Sequence, residues 1–384
     1  MTDTGGTRRE ICGYQAVRAA ARDHESYSSD LIGDRDTRDY QQLPLEADPP
    51  RHTLFRSAVQ PLFMSDAIEP KAPLFEKLAA DLIEAIREKG GGDIASDFAL
   101  PYVIGCLAII YNRPSDVEEW VSWGPDVWLA AAYADDLVTP ESHRAQRERN
   151  FDSGTQRSGA TLEAYLTRVF AAAKPAPTAD PASTDVWDWL SGLEVGGKQL
   201  SRAEKFGIAN VLLAGGRDTV IKLITGLTWH LIKEPSDRDY LANTPEAFNR
   251  TIAEAARFLT PLAKMERVLD SDRSVPLADR DPRRYVVLNY LSANFDTTVW
   301  PNPDQFDIHR DRKPHLAFGF GRHSCMGMNI TEHETKALLR VLLSNWPNWE
   351  FDGEPEIVWV SEGDGDSGLR AIERFDRLRI VVRP

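Results

Sequence analysis

The sequence has few cysteines: only Cys12, Cys106 and Cys325 occur among its 384 residues. They lie far apart and form no Cys-x-x-Cys pair, which excludes a disulfide framework and an iron–sulfur cluster held by cysteines. So low a cysteine content fits a reducing compartment such as the cytosol. A lone cysteine is most simply a buried, inert small residue, so a chemical role for any of the three needs support from its neighbours.

Long hydrophobic runs and an excess of positive charge are also missing. No stretch of 18 apolar residues occurs, and residues 1–10 lack the apolar segment of a signal peptide. We therefore expect a cytoplasmic protein that is neither secreted nor held by a membrane anchor. Lysines and arginines number 45 against 59 aspartates and glutamates, and the net charge of −14 argues against a nucleic-acid partner.

The hydrophobic pattern predicts a mostly helical chain whose strands come late in the sequence. Hydrophobic residues make up 42% of the chain, which is enough for a large core, and no internal repeat divides it. Three glycines at residues 90–92 end one helix, and Ser201 with Glu204 forms a capping box that begins another. The predicted helices cover residues 17–23, 74–89, 104–111, 117–133, 162–173, 201–231, 245–259 and 328–345, and the predicted strands cover 285–291 and 378–382.

One cysteine lies in a loop that is rich in glycine. Residues 318–327 read Phe-Gly-Phe-Gly-Arg-His-Ser-Cys-Met-Gly, in which the cysteine is Cys325. Glycines let a backbone fold closely around a large flat group, and amide N–H groups of such a loop stabilise a sulfur as its thiolate. A thiolate held against haem iron favours cleavage of the O–O bond of bound oxygen. The segment therefore indicates an oxygen-activating haem enzyme.

The spacing Phe-Gly-x-Gly-x-His-x-Cys-x-Gly resembles the haem-binding loop of the cytochrome P-450 family. The resemblance extends over about residues 10–384. It implies a single domain over residues 1–384 with the cytochrome P-450 fold, mainly α with small β-sheets and shaped as a triangular helical prism around the haem. It also implies haem b as the cofactor, with Cys325 as the iron ligand and Phe318, Gly319, His323 and Gly327 in contact with it. The start of the chain looks short for the family, so we expect the first helix to be missing or shortened.

A second segment that bears on chemistry lies within the helix predicted over 201–231. Residues 214–219 read Ala-Gly-Gly-Arg-Asp-Thr. Two adjacent glycines inside a helix cost about 1 kcal/mol each relative to alanine, and close approach of a flat cofactor would explain them. Asp218 beside the hydroxyl of Thr219 can relay protons to bound dioxygen. Alternatively, Thr219 hydrogen-bonds to its own helix and Asp218 forms a surface ion pair.

The stretch over residues 214–219 resembles the oxygen-activating helix of the same family. The resemblance implies that Ala214 and Gly215 contact the haem and that Asp218 and Thr219 are catalytic, delivering protons.

Glu254 and Arg257 are three residues apart, so they lie on one face of a helix and can pair. The alternative is an ordinary exposed ion pair, worth about 0–1 kcal/mol. In the family that the chain resembles, a Glu–Arg pair at this place is structural and holds the segment that positions the haem loop. The resemblance therefore gives Glu254 and Arg257 a structural role.

Four basic residues are candidates for binding the haem propionates, which need cationic partners. By resemblance these are His52, Arg56, Arg267 and His323. His52 and Arg56 are four apart and would share a helix face. For any one of the four alone, the alternative is a surface charge or an ordinary histidine.

The resemblance places the substrate pocket above the haem, on the side opposite the cysteine. Its walls would come from the long helix, from the segment near residue 262 and from a turn near residue 372. Tyr40 or Gln41 would offer one hydrogen bond to a mostly apolar ligand. The candidate lining residues are Tyr40, Leu43, Val211, Ala214, Leu262 and Ile372.

These segments together imply a haem-thiolate monooxygenase that inserts one atom of O2 into a small or medium-sized apolar substrate by hydroxylation, epoxidation or dealkylation. No flavin or iron–sulfur motif occurs, so we expect electrons from a separate ferredoxin and an NAD(P)H-dependent ferredoxin reductase. Two alternatives remain open. One is a peroxide-driven haem oxidase, and the other is a non-catalytic haem-thiolate protein that binds a ligand or a gas; the Asp218–Thr219 pair weighs against both.

Overall fold

The computed structural model describes residues 9–30, 40–123, 154–177, 179–269, 285–362 and 369–383. Within these ranges the chain is mostly helical and carries small sheets, which confirms the fold class expected from the sequence. The helices are α1 (Tyr14–Arg22), α2 (Arg51–Val59), α3 (Ser65–Ile68), α4 (Ala72–Lys89), α5 (Leu100–Ile110), α6 (Val117–Ser122), α7 (Gly154–Ala172), α8 (Val186–Gly192), α9 (Arg202–Gly215), α10 (Asp218–Lys233), α11 (Pro235–Asn243), α12 (Phe248–Leu259), α13 (Tyr290–Asn294) and α14 (Met328–Ser344). Among the described residues, no helix is both long enough and apolar enough to cross a membrane.

The strands form small sheets at the edges of the helical body. They are β1 (Arg9–Ile11), β2 (Tyr27–Ser28), β3 (Gly91–Asp93), β4 (Glu194–Val195), β5 (Lys198–Gln199), β6 (Lys264–Leu269), β7 (Tyr285–Asn289), β8 (Trp349–Phe351), β9 (Glu356–Glu362), β10 (Leu369–Arg377) and β11 (Arg379–Val382). The largest sheet has the order β1-β7-β6-β2, and only its β1–β7 pair is parallel. The others are β3-β11-β8, the β9–β10 pair and the β4–β5 pair.

One large hydrophobic cluster joins residues from Tyr40 to Ile380. Helix α5 is apolar on nearly all sides, and almost all of its residues are buried. Such a helix belongs in the centre of a protein rather than on its surface. A smaller cluster packs α1 against β7 and includes Tyr14, Leu288 and Trp300.

Local signals in the sequence explain where several helices begin and end. Helix α4 ends at Gly90, which adopts a left-handed conformation with φ of 76°. Helix α9 begins with the predicted capping box: the Ser201 hydroxyl accepts from the Glu204 amide, and the Glu204 carboxylate accepts from the Ser201 amide.

The single helix predicted over 201–231 is wrong, because the chain forms two helices, α9 and α10, separated by a break at Gly216 and Arg217. Arg217 leaves helical geometry with φ of −104° and ψ of −85°. The adjacent glycines lower the cost of this break because glycine favours a helix less than any other residue except proline. The glycine at 216 also has a packing reason, since a Cβ there would lie 2.9 Å from Cδ2 of Leu107.

Two other predicted elements differ from the structure. The strand predicted over 285–291 ends at Asn289, whose side chain accepts a hydrogen bond from the Ser292 amide and begins helix α13. The helix predicted over 117–133 is seen as α6, and residues 124–133 lie outside the described part of the chain. The first eight residues, on which the expectation of a shortened N-terminus rests in part, also lie outside it.

Candidate active site

The loop over residues 318–327 is held in shape by its own backbone. The Cys325 amide donates to the Phe318 carbonyl at 2.8 Å. Gly319 and Gly321 have positive φ values of 66° and 73°, which residues with a side chain rarely adopt. A Cβ at Gly321 would also lie 2.8 Å from the Ala21 carbonyl oxygen, so this glycine allows the loop to pack against α1. The glycines therefore allow the backbone conformation and the close packing that this loop needs to hold Cys325 in place.

The thiol of Cys325 lies inside the protein and is still reachable by water. Burial raises its pKa, while the backbone amides of Gly327 and Met328 and the guanidinium of Arg56 act in the opposite direction. Its side chain is nevertheless exposed to a water-sized molecule. A thiol that is both desolvated and accessible lines an internal cleft. The amides that donate to its sulfur are ready to stabilise a thiolate once a metal replaces the proton.

The four basic residues predicted to bind propionates lie close to this loop. The rings of His52 and His323 are 4.3 Å apart between centroids, and Nε2 of His323 is 3.0 Å from Oγ of Ser29. Arg56 Nη1 donates to the carbonyl of residue 322 at 3.1 Å. The positive charge of Arg267 acts on the His323 ring.

Both histidines of this cluster are held neutral by their surroundings. Burial lowers the pKa of His323 to about 2 and that of His52 to about 4, and neighbouring cations act in the same direction. Both ring nitrogens of His52 are buried and have no hydrogen-bond partner among the described residues. Buried polar atoms without partners are uncommon in folded proteins. The cluster therefore combines the positive charges of Arg56 and Arg267 with an N–H of His52 that has no acceptor, and an anionic group would satisfy both.

The break between α9 and α10 carries the other predicted catalytic segment. The Thr219 hydroxyl donates to the carbonyl of Gly215 at 2.9 Å. This is the bond to its own helix that the sequence left as an alternative, and here it crosses the break. Asp218 is 34% exposed, and its Oδ1 lies 3.6 Å from Nε of the buried Arg217. Its neighbour is therefore a buried cation rather than a surface one.

Gly215 faces empty space, because a Cβ added to it would meet no atom within 4 Å. Ala214, which precedes it, is partly buried. An open face at the middle of a helix pair leaves room for a group that is not part of the polypeptide.

The predicted pocket residues are placed unevenly. Tyr40, Leu43 and Ile372 are almost fully buried in the main core, Val211 is partly buried, and Leu262 is 41% exposed. The Tyr40 hydroxyl accepts from Nδ2 of Asn210 at 3.4 Å. The structure therefore places Tyr40 next to α9 but leaves its role as a ligand contact a prediction.

Two cavities of about 530 and 260 Å³ occur elsewhere on the described surface. The larger one lies between the end of α2 and residues 180–182, and neither includes Cys325 or the helix break.

Glu254 and Arg257 form a buried pair, so the alternative of an exposed ion pair is wrong. Their side chains are 3% and 1% exposed, and Arg257 binds both carboxylate oxygens of Glu254 at 2.7 and 2.8 Å. Arg257 also donates to the carbonyls of Asn294, Pro303 and Gln305. The pair thus ties helix α12 to the chain that leads to the cysteine loop.

Sequence reasoning missed three residues of these networks. Arg310 donates to Glu254 at 3.0 Å, Ser29 contacts His323, and Arg217 contacts Asp218. Arg310 and Ser29 are distant in sequence from their partners, so no spacing pattern revealed them. Arg217 lies within the 214–219 segment, and its position directly before Asp218 could have indicated the contact between the two side chains.

The residues that the structure describes fit a haem. A cleft thiol with two amides on its sulfur suits an iron ligand, and the basic cluster suits two carboxylates. The open face at Gly215 offers room for a flat group. These features come from separate parts of the chain, so their agreement is not the result of one motif.

Comparison with known proteins supports the same interpretation. The sequence profile described as Cytochrome P-450 matches residues 246–357. A steroid C26-monooxygenase of Mycobacterium tuberculosis (strain CDC 1551 / Oshkosh) is 28% identical over 361 residues, which cover 94% of this chain and 92% of that protein. The putative cytochrome P-450 YjiB of Bacillus subtilis (strain 168) is 26% identical over 339 residues, which cover 88% of this chain and 81% of that protein.

Solved structures match over nearly the whole chain. One described as a carbohydrate active P-450 is 25% identical and superposes with a TM-score of 0.77, covering 100% of this chain and 94% of its own. Substrate-free CYP109E1 from Bacillus megaterium is 22% identical, with a TM-score of 0.76 and coverage of 99% and 96%. The arrangement of helices and small sheets is therefore shared with these proteins.

Proposed function

The chain belongs to the cytochrome P-450 family of monooxygenases, and from that premise we propose that it inserts one atom of O2 into a small or medium-sized apolar substrate, with haem b ligated by Cys325. The overall reaction joins the substrate, O2, two electrons and two protons to give an oxygenated product and one water. The observation that carries the proposal is the desolvated yet accessible Cys325 thiol, which receives the amides of Gly327 and Met328.

The substrate is proposed only as a chemical class. One relative is named for a steroid and one structural neighbour is described as carbohydrate active, so the similarity does not single out one compound. Hydroxylation, epoxidation and dealkylation all satisfy the same balance of atoms and electrons.

The chain's own residues would hold the cofactor from two sides. Residues 318–327 would cover its thiolate face, with Phe318, Gly319 and Gly327 in contact. His52, Arg56, Arg267 and His323 would bind its carboxylates, and Ala214 with Gly215 would border the opposite face. When bound, a haem with a thiolate ligand supplies the capacity to activate O2.

Asp218 and Thr219 would move protons into this space. The Thr219 hydroxyl donates its hydrogen to the Gly215 carbonyl, which leaves the lone pairs of its oxygen able to accept a hydrogen bond from a group bound in this space. Asp218 is partly exposed and stands at the first turn of α10, between solvent and the break. This arrangement suits an acid that takes up a new proton from solvent water after it has given one away.

Electrons would come from a ferredoxin and an NAD(P)H-dependent ferredoxin reductase in the cytoplasm. Two features of the chain support a separate donor in a reducing compartment. The sequence contains no flavin or iron–sulfur motif, and no disulfide joins its three cysteines, all of which lie in the described part of the chain.

The test compares Thr219→Ala with Thr219→Ser in a reaction supplied with NAD(P)H, surrogate redox proteins and a panel of apolar compounds. We expect the alanine variant to release more peroxide and less product per electron, and the serine variant, which keeps the hydroxyl, to behave like wild type. Equal coupling in all three proteins would contradict proton delivery by Thr219. Turnover of the wild type with peroxide but not with reductant would support a peroxide-driven oxidase, and haem binding without turnover would support a binding protein.

A further inference from the structure

Arg217 lies in the 214–219 segment, but neither the residue pattern nor the family resemblance assigns it a role. It stands in the break between α9 and α10 and is 1% exposed. Burial lowers its pKa to about 10, so it still carries its positive charge near neutral pH. A buried charge is costly unless partners compensate it, so the guanidinium of Arg217 requires partners inside the protein.

The guanidinium of Arg217 reaches two different elements. Its Nη1 donates to the backbone carbonyl of Trp120 at 2.9 Å, and its Nε lies 3.6 Å from Oδ1 of Asp218. Trp120 belongs to the last turn of α6, where carbonyl groups have no partner within the helix. Arg217 therefore connects the end of α6 to the carboxyl that follows the break.

The anchor at Trp120 is rigid. Its side chain is 1% exposed and packs edge-on against Tyr111 and Tyr165, with ring centroids 6.4 and 6.0 Å apart. Tyr165 in turn donates to Asp116, which ends the turn before α6 and directly precedes that helix. A guanidinium bonded to this backbone has little freedom to move, and neither does the charge that it presents to Asp218.

We propose that Arg217 is a positioning residue for Asp218, which it holds against the helix break through its bond to the Trp120 carbonyl. A fixed cation on one side of the carboxylate favours one orientation of the acid and keeps it directed along the break toward Thr219. The inference rests on the proposed function, because it assumes that Asp218 delivers protons. Arg217 itself transfers nothing and touches no reacting atom.

The proposal depends on the positive charge of Arg217 and on its hydrogen bond to the Trp120 carbonyl. Two variants distinguish the loss of these interactions from a general loss of packing. Arg217→Met keeps the length and most of the volume of the side chain but removes both the charge and the hydrogen bond. Arg217→Lys keeps the charge. The matched control is Arg202→Met, which removes an exposed arginine from the start of α9, where it pairs with Glu163.

The first measurement is the fraction of electrons lost as peroxide, normalised to the haem-loaded protein. We expect it to rise at least about threefold in Arg217→Met, to recover in large part in Arg217→Lys, and to stay at the wild-type value in Arg202→Met. Because the two residues act as a unit, Arg217→Met combined with Asp218→Asn should be no worse than Asp218→Asn alone.

The second measurement does not depend on turnover. Hydrogen–deuterium exchange should become faster in Arg217→Met over residues 117–123 and 214–221, and stay unchanged over α14. An Arg217→Met protein that couples like wild type would overturn the proposal. So would additive effects in the double variant, or coupling losses that lysine does not restore. A wild type that consumes reductant without forming product would instead count against the proposed function, whatever the exchange data show.

Discussion

The buried Glu254–Arg257 pair allows the most quantitative test of how the fold supports the haem loop. The change is Arg257→Met, which preserves most of the side-chain volume and leaves Glu254 as a buried carboxylate. Breaking a buried ion pair by removing one partner costs about 3–5 kcal/mol. Arg310 remains 3.0 Å from Glu254 and compensates part of its charge, so the low end of that range applies. We expect a loss of about 3 kcal/mol in the free energy of unfolding.

The same substitution also leaves three backbone carbonyls without the donor that Arg257 provides, at Asn294, Pro303 and Gln305. A domain is stable by only about 5–15 kcal/mol, so a loss of this size is readily visible in urea denaturation of the haem-loaded protein. These carbonyls precede the cysteine loop in the chain, and we also expect faster loss of haem to an external acceptor.

The chain offers a matched control with the same spacing. Glu84 and Arg87 are also three apart on a helix, but their side chains are 47% and 60% exposed. Exposed pairs contribute little to stability, so Arg87→Met should leave the denaturation midpoint unchanged within error. The reasoning is refuted if Arg257→Met costs less than about 1 kcal/mol, because that is the range of surface pairs.

Two further predictions concern the cavity and its charge. Gly215→Ala should fold at least as well as wild type, since its Cβ meets open space, but should weaken haem binding. Gly216→Ala should lower the free energy of unfolding by about 1–3 kcal/mol, because its Cβ overpacks against Leu107. Urea denaturation and haem titration of both variants check these expectations, and equal effects of the two variants on folding would contradict them. Because the pKa values of His52 and His323 are lowered from 6.5 to about 4 and about 2, the unfolded chain takes up protons first as pH falls. The haem-free protein should therefore lose stability from about pH 7 to pH 4, and haem carboxylates should reduce this loss; denaturation midpoints across that range would contradict the account if the haem-loaded protein showed the steeper fall.

Local signals in the sequence predicted much of the helical framework. The glycine stop after Lys89 and the capping box at Ser201 act through neighbouring backbone groups, so they can be read without the fold. The break at Arg217 was not predicted. Helix propensity alone does not say whether two glycines are tolerated inside a helix or divide it, because the answer depends on tertiary packing, and at residue 216 the neighbour is Leu107 of α5.

The candidate site divides in the same way. The glycine spacing around Cys325 and the three-residue spacing of Glu254 and Arg257 are local, and both were visible in the sequence. The contacts of Arg310 and Ser29 depend on the path of the chain between distant segments. Burial is likewise a property of the whole fold, and it determines that the Glu254–Arg257 pair is strong and that His52 is neutral.

The most direct test of the central claim is the spectrum of the reduced carbon monoxide complex in wild type, Cys325→Ser and Cys12→Ser. Cys12 lies in an exposed position in the same chain and serves as the matched thiol control. We predict that wild type and Cys12→Ser show the shifted Soret band of a thiolate-ligated haem and that Cys325→Ser loses it. Survival of that band in Cys325→Ser would show that residue 325 is not the iron ligand and would contradict the account.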